Sequence, residues 1–247
     1  MKDDGVHNSV RLTVDAASYS LATVDLAVSI AALAQTRLHG LFVEDEDLLS
    51  AAALPCSREI TSMARARPLD TLLLQKSLRA MASQFQQYLA QAAGQSSIQW
   101  RYDYLRGRAD EIGLKAEQDV AYSIVGQVFS RQPRNRRLRR VLLVVDHSKH
   151  LLTALQVVLH RFEQDAVELV VVKSAGGNQL PVISSELQAL ADQYHRLGIV
   201  MLAHSQLPAL LSTAASAFDY AIISRQEPAA SQSELLKLLR CPVILVA

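Results

Sequence analysis

The stretch Val141-Leu142-Leu143-Val144-Val145-Asp146-His147-Ser148 decides how the chain is read. It is a short apolar run rich in β-branched residues, closed by an aspartate and a polar turn, and such a run reads as a buried strand. The same pattern stands near the amino terminus as Val10-Arg11-Leu12-Thr13-Val14-Asp15-Ala16-Ala17. Apolar residues at helical spacing follow each copy: Leu21, Val24, Val28 and Ala31 after the first, and Leu151, Leu155, Val158 and Phe162 after the second. One strand–helix programme therefore runs twice, with a period of about 130 residues, which points to a duplicated domain rather than a short solenoid repeat.

Outward from these strands the alternation continues. In the first copy, Leu38 to Val43 reads as a second strand. A loop carrying Glu44 to Asp47 and Pro55 leads to a helix with Leu74, Leu78, Met81, Phe85 and Leu89 on its inner face, and Gly94 is expected to stop it. Ile98 to Leu105 is the third strand, Arg108 to Gln118 a short helix, and Ala121 to Val125 the fourth strand, closed by Gly126. In the second copy the strands are Val141–Val145, Val167–Val172, Ile199–Ala203 and Tyr220–Ile223. The helices between them lie around Leu187 to Leu197 and Leu207 to Ala217, with Gly176 and Gly177 in a loop. Only this copy adds a last helix, with Ser231 and Glu234 as a capping box, and a last strand, Val243–Val246, behind Pro242. Strands alternating with amphipathic helices form an α/β fold, here two tandem open parallel sheets with helices on both faces. The expected domains are 1–129 and 141–247. Between them, 130–140 reads as a linker with six arginines and Pro133.

Composition narrows the function. The chain has 247 residues, half of them hydrophobic and 20% charged, enough for two cores of about 100 to 150 residues each. A formal net charge of +1 supplies no global field for nucleic acid or an anionic membrane. Met1 to Ser9 contains Asp3 and Asp4 and no apolar core, and no apolar run approaches the ~18 residues of a membrane span, so a cytoplasmic location is expected. Cys56 and Cys241 have no metal or redox spacing.

Three features together resemble the universal stress protein family. They are the strand-Asp-turn segments at Val14-Asp15 and Val145-Asp146, the fourth strands in Asp119–Gly126 and Asp219–Ser224, and the closing Cys241-Pro242-Val243-Ile244-Leu245-Val246. The resemblance spans nearly the whole chain and implies a Rossmann-like fold of the adenine nucleotide alpha hydrolase type and a stress-response role. It also implies a nucleotide pocket at Asp15, Val43 and Gly126 in the first copy and at Asp146 in the second. ATP-binding members carry Gly-x2-Gly-x9-Gly after the fourth strand, where the missing side chains let backbone N–H groups reach the phosphates. Here Gly126 is followed by no glycine until Gly176, and the second copy has none after Gly198. The expectation is a binding protein without turnover and without ATP as a cofactor; the alternative is a nucleotide binder that uses other phosphate contacts. For Asp15 and Asp146 two readings stand open, ligand contact and helix N-cap.

His147, His150 and His160 do not have zinc spacing, and no Gly-x-Ser-x-Gly, Walker or HExxH motif is present. The arginines of 131–140 have no interleaved aromatics for stacking nucleic-acid bases and are expected to lie in solvent or pair with Glu44 to Asp47. Val243–Val246 is an apolar strand with no equivalent in the first copy, so it is expected to pair with the same strand of a second chain, giving a homodimer. Any further protein or small-molecule partner is not named by the residues.

Overall fold

Val10, Leu12 and Val14 are fully buried and alternate with Arg11 and Thr13, the period-two pattern of a strand with both faces covered. They lie in β1 (Ser9–Asp15). The structure, a computed structural model, describes residues 9–60, 65–115, 119–126, 138–145, 149–173, 180–214, 218–225 and 229–247. The first half continues with α1 (Leu21–Leu33), β2 (Arg37–Asp45), α2 (Glu46–Ala52), the hairpin β3 (Arg58–Ile60) and β4 (Ala66–Pro68), α3 (Thr71–Gln95), β5 (Trp100–Gly107), α4 (Ala109–Leu114) and β6 (Val120–Val125). The second half comprises β7 (Leu138–Val145), α5 (Lys149–Arg161), β8 (Ala166–Lys173), α6 (Leu180–Gln193), β9 (Leu197–Leu202), α7 (Leu207–Ala214), β10 (Tyr220–Ser224), α8 (Ala229–Leu238) and β11 (Val243–Val246).

The halves share one nine-stranded sheet in the order β5-β2-β1-β6-β11-β10-β7-β8-β9. Every neighbouring pair in it is parallel except β6 with β11, where Val243 faces Val125 and Val246 faces Tyr122. Two expectations are corrected here. The tandem sheets are not separate but joined edge to edge. Val243–Val246 does not pair with a second chain, because β6 of the same chain occupies its free side; that basis for a homodimer is gone. The physical demand was read correctly, since an apolar edge must be covered, but the fourth strand of the first half meets it.

One layer packs α1, α3, α5 and α6 against the sheet around Leu26, Ile30, Phe85, Leu89, Leu155 and Leu187. The opposite layer is centred on α7 and α8, with Leu207, Leu211, Leu235 and Leu239 packed on Leu142, Val144 and Leu245. Gly40 sits under α3, where a Cβ would run into the Leu89 and Phe85 side chains, so only glycine allows the helix this close.

Local readings differ in informative ways. The acidic loop is α2 plus the hairpin, because Asp45 caps α2 by accepting from the N–H groups of Asp47 and Leu48. α3 passes through Gly94 and ends at Gln95; the left-handed residue after it is Ser97, at φ 54°. β7 begins at Leu138, inside the expected linker. Its Arg139 bonds Asp165 at 2.9 Å and Asp219 at 3.3 Å, and Arg140 bonds Glu168, so these arginines do not pair with Glu44 to Asp47. The rest of the linker lies outside the described residues, as do Gly176 and Gly177. α8 starts at Ala229, ahead of the expected cap at Ser231, whose side chain is also outside them.

Gln35, at φ 50°, occupies the same position after α1 that Ser97 occupies after α3. An L side chain in this region costs roughly 1–2 kcal/mol, part of which glycine gives back as unfolded-state entropy. Gln35→Gly and Ser97→Gly are each expected to stabilise the protein by about 0.5–1 kcal/mol, read as a higher urea midpoint at unchanged m value.

Candidate functional site at the strand reversal

In open α/β sheets ligands sit beyond the carboxyl ends of the strands, at the point where strand order reverses. In the first half that point lies between β1 and β6, and a cleft of about 230 Å³ opens there. Asp15, Asp45, Asp47 and Asp110 line it, facing Arg108 and, from α8 of the second half, Lys237. Arg108 Nε stands 3.6 Å from both Asp47 and Asp110 and 3.4 Å from Glu111, and these carboxylates, Asp110 foremost, push its pKa up. Arg106 lies 3.6 Å from Glu44, which also hydrogen-bonds Tyr104; burial first and this carboxylate second push the phenol up to about 12.

Three of the four sequence-derived site residues fall among the described residues. Asp15 lines the cleft but does not cap α1. Its Oδ1 accepts from the N–H groups of Ala17 at 2.9 Å and Ser18 at 2.7 Å, bracing the turn, while Ser20 caps the helix. Gly126 also lines the cleft, and its lack of a side chain is explained by packing, since a Cβ would press on Ser18 at 3.0 Å. Val43 pairs with Asp15 in the β1–β2 register and is buried behind the cleft rather than lining it. Asp146, with His147 and Ser148, lies outside the described residues. Among the described residues no group of three or more His, Cys, Asp and Glu is placed to hold a metal ion. His150 packs edge-on to Tyr122 at 5.3 Å between ring centres, and His160 lies 3.8 Å from Glu163. Cys241 is buried, which drives its thiol pKa far up, and Asp219 adds to the effect; Cys56 is exposed.

The sequence reading missed Arg108, Asp110 and Lys237. Arg108 and Asp110 flank the start of α4, where an acidic first turn was a visible sign. Lys237 had no local sign, because it reaches the cleft only through the packing of α8 on α4.

A second polar assembly lies on the α4 face of the same half. His39 is buried, with Nε2 2.7 Å from Asp103 Oδ2 and Nδ1 2.8 Å from an Arg101 guanidinium nitrogen. Arginine can only donate, so Nδ1 accepts and Nε2–H donates to Asp103, which fixes a neutral imidazole. Burial lowers the His39 pKa from its usual 6.5; the Asp103 hydrogen bond opposes this, and the charges of Arg101 and Arg11 reinforce it. A depressed histidine stabilises the fold fully above the unfolded pKa of about 6.5 and loses that contribution as pH falls through the folded value. Stability measured by urea unfolding is therefore expected to fall as the pH drops below the unfolded value of about 6.5, and His39→Gln to flatten that slope. Identical slopes in the two proteins would remove His39 from the account.

In each half the first-entered strand lies between the second and the fourth. The chain is similar to universal stress proteins. A universal stress protein from Archaeoglobus fulgidus is 11% identical, with 98% of this chain and 97% of that one covered at a TM-score of 0.43. A protein from the universal stress protein family from Burkholderia pseudomallei is 12% identical, with 79% and 96% covered at a TM-score of 0.28. No family model matches the chain, and no curated protein matches it in sequence. Among the described residues no helix is long and apolar enough to cross a membrane.

Proposed function

We propose that the chain is a stress-response binding protein of the universal stress protein type that works without catalytic turnover and without nucleotide phosphates in its first-half cleft. The observation that supports this is the charge of the cleft: four carboxylates face Arg108 and Lys237, and Arg108 is already engaged by three acidic side chains. A polyphosphate entering it would meet like charge, and the one guanidinium that lines it among the described residues is already engaged. The absence of a glycine run after Gly126 agrees with this, because the family's phosphate nest is built on those glycines.

The test is calorimetric titration of the purified protein with ATP, ADP and AMP. The expected result is no saturable heat up to millimolar ligand, corresponding to binding weaker than about −4 kcal/mol. Micromolar ATP binding that Asp15→Ala abolishes would replace this reading with that of a nucleotide-binding protein.

A further inference from the structure

The polar assembly around His39 has a counterpart that shows what the fold itself requires. Arg11 faces Ser123 on one side and His39 on the other, and His39 faces Arg101, so one row of polar side chains crosses four strands. In the second half the equivalent row is Ala221, Leu142, Val170 and Val200, entirely apolar. The fold is thus built without charge at these positions, and burying it costs free energy unless each group is bonded. In the first half Arg11 is 1% and His39 7% exposed. The next row on that face carries Thr13, whose hydroxyl is buried with no hydrogen-bond partner. Arg11 and Ser123 of this row donate to the Lys115 and Gly113 carbonyls at the end of α4, and His39 and Arg101 carry the row on toward the edge strand.

The row opens into a cavity of about 270 Å³ at the amino ends of β1, β2 and β5, the end of the sheet opposite the acidic cleft. Ser9, Arg37, His39, Gln99, Trp100 and Arg101 line it, with Asp119 the one carboxylate among the described lining residues. Arg101 is held in place by His39, which Asp103 holds in turn. Arg37, exposed on β2, makes no ion pair among the described residues. Two guanidiniums converging from neighbouring strands, with the Gln99 amide beside them, offer donors from more than one plane, which three phosphate oxygens can use and the two coplanar oxygens of a carboxylate use less fully. The volume leaves room for more than a bare anion, and Trp100, next to Arg101 on β5, borders the cavity as well.

We propose that this cavity binds the phosphate group of a small molecule, gripped by Arg37 and Arg101 and backed by Trp100. The site is separate from the acidic cleft and stands whether or not that cleft takes a nucleotide. Trp100 is the only tryptophan of the chain, so its emission reports on the cavity without a label. Titrating the intact protein with inorganic phosphate, against sodium chloride at matched ionic strength, is expected to give a saturable change with a Kd of about 1 mM or tighter. Arg37→Gln, a surface change that leaves the core untouched, is expected to raise that Kd about tenfold, while Asp15→Asn leaves it unchanged. Acetate is expected to give no saturation. A phosphate response that merely tracks ionic strength, survives Arg37→Gln, or is matched by acetate overturns the proposal.

Discussion

Chains ending at Arg240 are expected to yield no soluble folded protein. The lost segment contains β11, whose four residues Val243, Ile244, Leu245 and Val246 are each fully buried between β6 and β10. Burial of each such side chain contributes roughly 1.5–3 kcal/mol, so the four together rival the whole stability of about 5–15 kcal/mol typical of a domain. Removal would also open two apolar strand edges in the middle of the sheet, Val120–Val125 and Tyr220–Ser224, and such edges template aggregation. Soluble yield and far-ultraviolet circular dichroism check this. Recovery of a soluble chain with the full-length urea midpoint would show that the halves stand without the shared strand.

The second large effect belongs to Phe85. Its ring is fully buried on α3 and packs against Tyr19 at 5.6 Å, Tyr102 at 5.9 Å and Phe42 at 6.1 Å between centroids. Phe85→Ala removes the centre of this aromatic cluster and is expected to cost about 3–5 kcal/mol, lowering the urea midpoint steeply. The same contact explains Gly40, under Phe85 and Leu89. Gly40→Ala alone is expected to cost about 1–3 kcal/mol by overpacking. Combined with Leu89→Ala, which clears the space, its added cost is expected to shrink by at least about 1 kcal/mol. Strict additivity in this double-mutant cycle would mean that α3 shifts as a body rather than meeting the new methyl group.

How much was legible in the sequence depends on how local each cause is. The alternation of Val10, Leu12 and Val14 and the helical spacing of Leu78, Phe85 and Leu89 reflect burial on a single element, so strands and helices emerged with the right order. The hairpin at Arg58–Ile60 did not, because three-residue strands carry too little pattern. Arg139 and Arg140 read as linker residues because their partners Asp165, Asp219 and Glu168 lie in later elements. The placement of Val243–Val246 failed for the same reason: its apolar character is local, but the strand that covers it is not. In the cleft, Asp15 and Gly126 were legible from their position at strand ends, whereas Arg108 and Lys237 enter through packing. Arg11, His39 and Arg101 stand in the sequence as polar residues inside strands, yet only the apolar counterpart of their row in the second half sets them apart.

The antiparallel meeting of β6 and β11 also governs the order in which the molecule can assemble. The β1–β2, β2–β5, β7–β8 and β8–β9 pairs close over shorter stretches of chain, whereas β6 must pair both with β1, made first, and with β11, made last, so Val125 waits for Val243. Contacts of such long sequence separation are entropically costly to form and slow folding. During synthesis the first half therefore emerges with the β6 edge bare, and it stays so while the whole second half is being made. Over that interval the nascent chain is open to strand-pairing errors and to chaperones that recognise apolar edges, until its own later strand arrives to seal it.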